Sequence, residues 1–160
     1  MTTNGCHLSS MAGPLKDAGL DQVNVSIVSL DPETHGKVTV TGSLKDVLEG
    51  IRAAIRAGLN PVKLNMVVMN GINEQEIGRM ISFARENGAI LQLIELEASK
   101  EKVLDGFYKK YHYDLREVEN ELASRSVRVV ERNLHHRIKY FLPQEVEVVR
   151  PMHNKEFCSN

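Results

Sequence analysis

Cysteine is nearly missing from this 160-residue sequence: Cys6 and Cys158 are the two it has, near opposite ends. That is too few for a disulfide framework, and the pair has no Cys-x-x-Cys spacing, so a reducing, cytoplasmic setting is expected. Long apolar runs are missing as well. No stretch approaches the roughly 18 apolar residues that a spanning helix needs, and the N-terminus carries no basic segment followed by an apolar one. Neither a membrane span nor a secretory leader is expected. An excess of one charge is also lacking: Lys+Arg 20 against Asp+Glu 21 leaves a formal net charge of -1. There is then no broad positive field for nucleic acid or an anionic membrane, and any anion site must be local. What remains is an ordinary globular mix, 42% hydrophobic and 26% charged. A chain of this length buries about 70% of its unfolded surface, enough for a real core.

Apolar spacing alternates between periods of two and 3.6. Gln22 to Ser26, Val62 to Val68 and Ile90 to Leu96 read as strands. Between them, Ser43 to Ala57 reads as a helix: Leu44, Val47, Leu48, Ile51, Ala54 and Ile55 form one stripe, Ser43 can cap the first turn, and Gly58 can end the last. Asn73 is expected to cap a further helix that opens on Glu74-Gln-Glu76 and stops at Gly88. Strands separated by helices imply parallel βαβ units and an α/β fold. Upstream, Met1 to Gly5 resembles the tail of a strand and Leu8 to Ala18 a helix weakened by Gly13-Pro14. After Ser99 the pattern changes to a Tyr-rich stretch over Tyr108 to Tyr113, a helix near Asp114 to Ala123, and strands near Val127 to Val130, Arg137 to Phe141 and Val146 to Val149. Those three strands could pair antiparallel. Ser99 is therefore the one candidate subdomain boundary.

The central strands carry polar residues at every second position. Asn24 and Ser26 alternate with Val23, Val25 and Ile27, and Lys63 and Asn65 with Val62, Leu64, Met66 and Val68; Glu95 is placed in the same polar set. The apolar set should meet the helices and the polar set face the other way. Barrel interiors are usually filled by Val, Ile and Leu, so this face is either a wet cavity for a polar ligand or the solvated face of an open sheet. A buried lysine must have an anion, and Lys63 is expected to meet an internal carboxylate or a ligand phosphate.

Several short segments occur in order: Thr2-Thr-Asn-Gly5, Val23-Asn-Val-Ser26 with Leu30-Asp-Pro-Glu33, Pro61-Val-Lys-Leu-Asn65, Val67-Val-Met-Asn-Gly-Ile-Asn73, then Arg150-Pro151 and Phe157-Cys158. Together they resemble the GTP 3',8-cyclase family of radical S-adenosylmethionine (SAM) enzymes, the molybdenum cofactor biosynthesis protein A family. The resemblance is densest from 2 to 95. It implies a partial parallel (β/α) barrel with a small C-terminal α+β extension, residues 1-99 forming the C-terminal part of the barrel and 100-160 the extension that leads to a second iron-sulfur cluster motif. In such enzymes one [4Fe-4S] cluster cleaves SAM and a second binds GTP, and the radical closes the ribose onto the purine in the first step of molybdenum cofactor synthesis. The resemblance implies that Thr2 and Lys63 contact GTP, that Ser26 contacts SAM, and that Cys158 is a cluster ligand. Glu97 stands where a SAM-contacting methionine occurs in bacterial members.

The departures carry expectations of their own. The Cys-x-x-x-Cys-x-x-Cys motif of the SAM cluster is not in these residues, and the C-terminal motif reaches only its first cysteine. No complete cluster site is expected in this chain, which reads as a fragment without cyclase activity alone. Two further readings stay open: a non-catalytic nucleotide-binding α/β domain, and a different radical SAM enzyme. Cys6 is assigned no role, and His153 is expected to be structural. The run Arg125, Arg128, Arg132, Arg137 and Lys139 is expected to be a solvated face, and Tyr108, Tyr111 and Tyr113 a surface segment. Exposed sheet edges would favour self-association, giving a homo-oligomer.

Overall fold

The computed structural model describes residues 1–39, 43–98, 106–132, 137–142 and 145–150. A short strand β1 (Thr2–Thr3) leads into helix α1 (Leu8–Asp17), strand β2 (Val23–Ser26), helices α2 (Pro32–Val38) and α3 (Leu44–Arg56), and strand β3 (Val62–Val68). A 3-10 turn at Glu74–Glu76 then opens onto helix α4 (Ile77–Glu86), followed by strand β4 (Ile90–Glu95), helices α5 (Gly106–Tyr111) and α6 (Arg116–Arg125), and strands β5 (Arg128–Arg132), β6 (Arg137–Phe141) and β7 (Glu145–Val149). The fold is the expected mixed α/β type.

Among the described residues the strands form one sheet in the order β1-β2-β3-β4-β7-β6-β5. The first five neighbours run parallel. Strands β5, β6 and β7 pair antiparallel, and β7 also lies parallel beside β4, so the C-terminal strands extend the main sheet rather than forming a second one. The sheet does not close on itself: β1 and β5 are its edges.

Local chemistry accounts for most boundaries. The hydroxyl of Ser43 accepts from the Asp46 amide and caps α3, and Gly58, at φ 76°, takes the left-handed position just past its end. Asp31 caps α2 in the same way through the Thr34 amide. Helix α1 runs through Gly13-Pro14, as the sequence suggests for a helix weakened but not broken there; its apolar residues Leu8 and Ala12 are buried, and that packing holds the helix.

One expectation is overturned. Asn73 makes no side-chain cap; it is fully buried and fastens two loops, accepting from the Met69 amide at 2.8 Å and donating to the Val28 and Val67 carbonyls at 2.8 and 3.0 Å. A buried amide with three backbone partners is worth more there than at an exposed helix end. Asn73→Ala strands those partners and is expected to cost about 2 kcal/mol, read as a lowered urea midpoint. An unchanged midpoint would contradict this role.

Candidate functional site

The burial pattern settles which face of the sheet is which. In β3 every odd member of the segment is buried and every even one partly open, and the buried set of β2, β3, β4 and β7 joins α1, α3 and α4 in a single core. The opposite set is the polar one, as expected.

Register turns that set into rows across the sheet. Thr2, Asn24 and Lys63 are successive register partners on β1, β2 and β3; one step further along, Ser26, Asn65, Gln92, Glu147 and Lys139 are partners across β2, β3, β4, β7 and β6. Register partners in a sheet project from the same face, so Thr2, Ser26 and Lys63 share one face. Thr2 and Lys63 lie two strand spacings apart, about 10 Å. Thr2 and Ser26 are exposed.

Glu95 departs from the expectation that it belongs to this set. It pairs with Val68, on the helix-facing side, and its carboxylate collects the C-terminal segment: His112 Nε2 lies 2.9 Å from Oε1, and Oε2 accepts from Arg150 Nε at 3.1 Å and from the Leu115 amide at 3.3 Å. Arg150 also donates to Glu119. Burial pushes the Glu119 carboxyl up, and the Tyr140 hydroxyl, buried beside it, up to about 12.

Lys63 has found the internal carboxylate. Its ammonium donates to Glu147 Oε1 at 2.8 Å; the lysine side chain is 12% exposed and that of Glu147 0%. The same oxygen lies 3.2 Å from Lys139 Nζ, and Glu147 Oε2 accepts from the Gln92 side-chain amide. Burial pushes the Glu147 carboxyl up, but contacts with Glu145, Lys63 and Lys139 outweigh it and hold the group at about 2. Lys139, grouped by sequence with a solvated basic run, is instead held by Glu145 at 2.5 Å with its side chain 17% exposed. Burial pulls its ammonium down and the bonds to Glu145 and Glu147 more than restore it.

The phosphate alternative for Lys63 thus loses its purely electrostatic warrant. A different observation favours a polar ligand: Asn65 Oδ1, between Ser26 and Gln92 in the second row, is buried with no hydrogen-bond partner among the described residues. A donor from a bound molecule would satisfy it. Sequence reading missed Gln92, Glu147 and Lys139. Alternation in Glu145-Val-Glu-Val-Val149 was the available signal for Glu147, but its partner depends on β7 lying beside β4.

Glu97 lies two residues past the end of β4 and is exposed. Cys158, the proposed cluster ligand, and the boundary at Ser99 lie outside the described residues. Among those described, no group of three or more His, Cys, Asp or Glu side chains could hold a metal ion, so these residues do not by themselves fit a cluster. No helix among them is long and apolar enough to cross a membrane.

Comparison with known proteins places these features in a wider set. Residues 1–84 match the profile of the radical SAM superfamily. The whole chain is 52% identical to a "Probable GTP 3',8-cyclase" of Thermococcus kodakarensis and 46% identical to one of Methanothermobacter marburgensis, covering 53% of each relative. A protein of the same printed name from Methanosarcina mazei is 49% identical over 99% of the chain and 48% of its own length. The chain spans about half the length of the curated relatives it matches.

Proposed function

The chain belongs to the radical SAM superfamily, and from that membership we propose that it is part of a cytoplasmic GTP 3',8-cyclase, a lyase that begins molybdenum cofactor synthesis by converting GTP to cyclic dehydro-GTP. The relatives named above support the reaction; the observation on this chain that supports it best is the common face shared by Thr2, Ser26 and Lys63 beside the unsatisfied Asn65 oxygen.

On this reading residues 1-99 are the end of the partial barrel and 100-160 lead to the second cluster. Thr2 and Lys63 hold GTP, Lys63 through a phosphate; Ser26 and Glu97 hold SAM; Cys158 is one thiolate ligand. The clusters and SAM supply the radical chemistry when bound. The protein groups of this face bind and orient, since holding reactants in a near-attack geometry is itself a large part of such catalysis. Self-association through the edges of β1 and β5 belongs to the same proposal.

Titrating GTP and guanosine into the whole protein tests it. Lys63→Met is expected to raise the Kd for GTP about tenfold, the loss of one charge-assisted phosphate contact, and to leave guanosine binding unchanged. Equal effects on both ligands, or none on either, would remove Lys63 from the phosphate site. The non-catalytic alternative is separated by chemistry: SAM cleavage by the anaerobically reconstituted whole protein excludes it.

A further inference from the structure

Lys63 reaches Glu147 across an intervening strand, from β3 over β4 to β7, and the carboxylate it meets is fully buried. That carboxylate has no freedom to follow a moving lysine. Oε2 is tied to the Gln92 amide on β4, while Oε1 is shared between Lys63 at 2.8 Å and Lys139 at 3.2 Å. Lys139 is in turn anchored by Glu145. Glu147 is thus a fixed acceptor on rigid sheet, and a flexible four-carbon stem is anchored to it at its tip.

An ammonium group has three donors. Among the described residues Lys63 makes one hydrogen bond, that to Glu147, so two N–H groups remain for the partly open polar face. Lys139 differs, having both Glu145 and Glu147 as acceptors. The two lysines of the cluster therefore have separate jobs. Lys139 completes the charge balance of the carboxylates, and Lys63 keeps donors to spare.

We propose that Glu147 is the positioning residue for Lys63: it fixes the ammonium at one point of the polar face so that its free N–H groups meet an anionic ligand without first being ordered. The inference rests on the reading above, in which that anion is a phosphate of GTP, and goes beyond it by assigning Glu147, Gln92 and Lys139 as the support of the contact. Preorganised donors cost less to use at the moment of binding.

The sign of one substitution separates positioning from simple charge. A carboxylate beside a phosphate site repels the phosphate, so if Glu147 acted through space alone, Glu147→Gln would tighten GTP binding. Positioning requires the reverse. In the whole enzyme, Glu147→Gln is expected to raise the GTP Kd about fivefold to tenfold and the KM for GTP by a similar factor, with kcat changed less than twofold and guanosine binding unchanged. Combined with Lys63→Met it should weaken GTP binding no further than Lys63→Met does alone, because both changes remove the same contact.

Should Glu147→Gln fail to fold, Glu147→Asp keeps the charge on a shorter stem, and a severalfold weaker affinity for GTP but not guanosine is expected. Wild-type or tighter GTP binding by either variant, where Lys63→Met is weakened, overturns the positioning role and leaves the phosphate site intact. Lys63→Met without effect overturns both.

Discussion

Replacing Gly50 with alanine is expected to destabilise the chain by about 3 kcal/mol, although an alanine in a helix normally gains about 1 kcal/mol over glycine. Gly50 lies buried in α3, and a Cβ built there would stand 2.3 Å from the Gly5 carbonyl oxygen and 3.0 Å from Leu8 Cβ. The first neighbour is backbone and cannot swing away. Gly5 itself sits at φ 83°, where a Cβ would meet Val25 Cγ1 at 2.8 Å, so the turn between β1 and α1 is pinned from two sides and cannot retreat. The helices α1 and α3 must part instead. In a chain of this size that corresponds to a melting temperature lowered by about 10 °C. Gly78→Ala provides the opposite sign: the residue is exposed in α4 with nothing within 4 Å of its Cβ position, and the change should be neutral or slightly stabilising. A Gly50→Ala protein melting within a degree of wild type would refute the argument. Since the pinned turn follows Thr2–Thr3 directly, the variant should also disturb the β1 end of the polar face.

The features that sequence revealed were those set by neighbours a few residues away. The strand Val62–Val68 has the bounds its alternation suggests, and α3 starts and stops where Ser43 and Gly58 mark it. The same period of two identified the polar face, and with it Asn24, Ser26, Lys63 and Asn65. Residues whose role depends on register between distant strands were not legible. Glu147 lies 84 positions from Lys63, and the two meet only because β7 inserts next to β4. Gln92 was hidden within the apolar run Ile90 to Leu96, where a single amide looks incidental. Glu95 was misplaced for a related reason: it is one residue out of phase with the polar rows, and its real partners, His112 and Arg150, come from a segment whose path the sequence does not disclose. Asn73 failed differently. Local rules favour it as a cap, but a fully buried site with three backbone partners outweighed them.

Acid should weaken this fold through Glu147 more than through any other single group described above. The ordinary value for its carboxyl is 4.5, and the folded chain holds it at about 2, so the ionised form is the one that the folded state favours. The contribution is fully present above pH 4.5 and is lost as pH falls toward 2, because the unfolded chain takes up the proton first. Asp114, held at about 2 by its hydrogen bonds to Arg116, acts in the same direction, but its side chain is 36% exposed and solvent screens it. Glu119 opposes them: burial raises its carboxyl, so protonation favours the folded state there. The net slope between pH 5 and 2 should therefore be downward and should depend on Glu147. Urea denaturation across that range tests this directly. Glu147→Gln is expected to be less stable than wild type at pH 7, where it leaves Lys63 and Lys139 with a neutral amide oxygen in place of their shared carboxylate, and the gap should close as the pH approaches 2. Parallel stability curves for the two proteins would mean that the buried carboxylate is not ionised in the folded chain, and the cation pair around it would need another counterion.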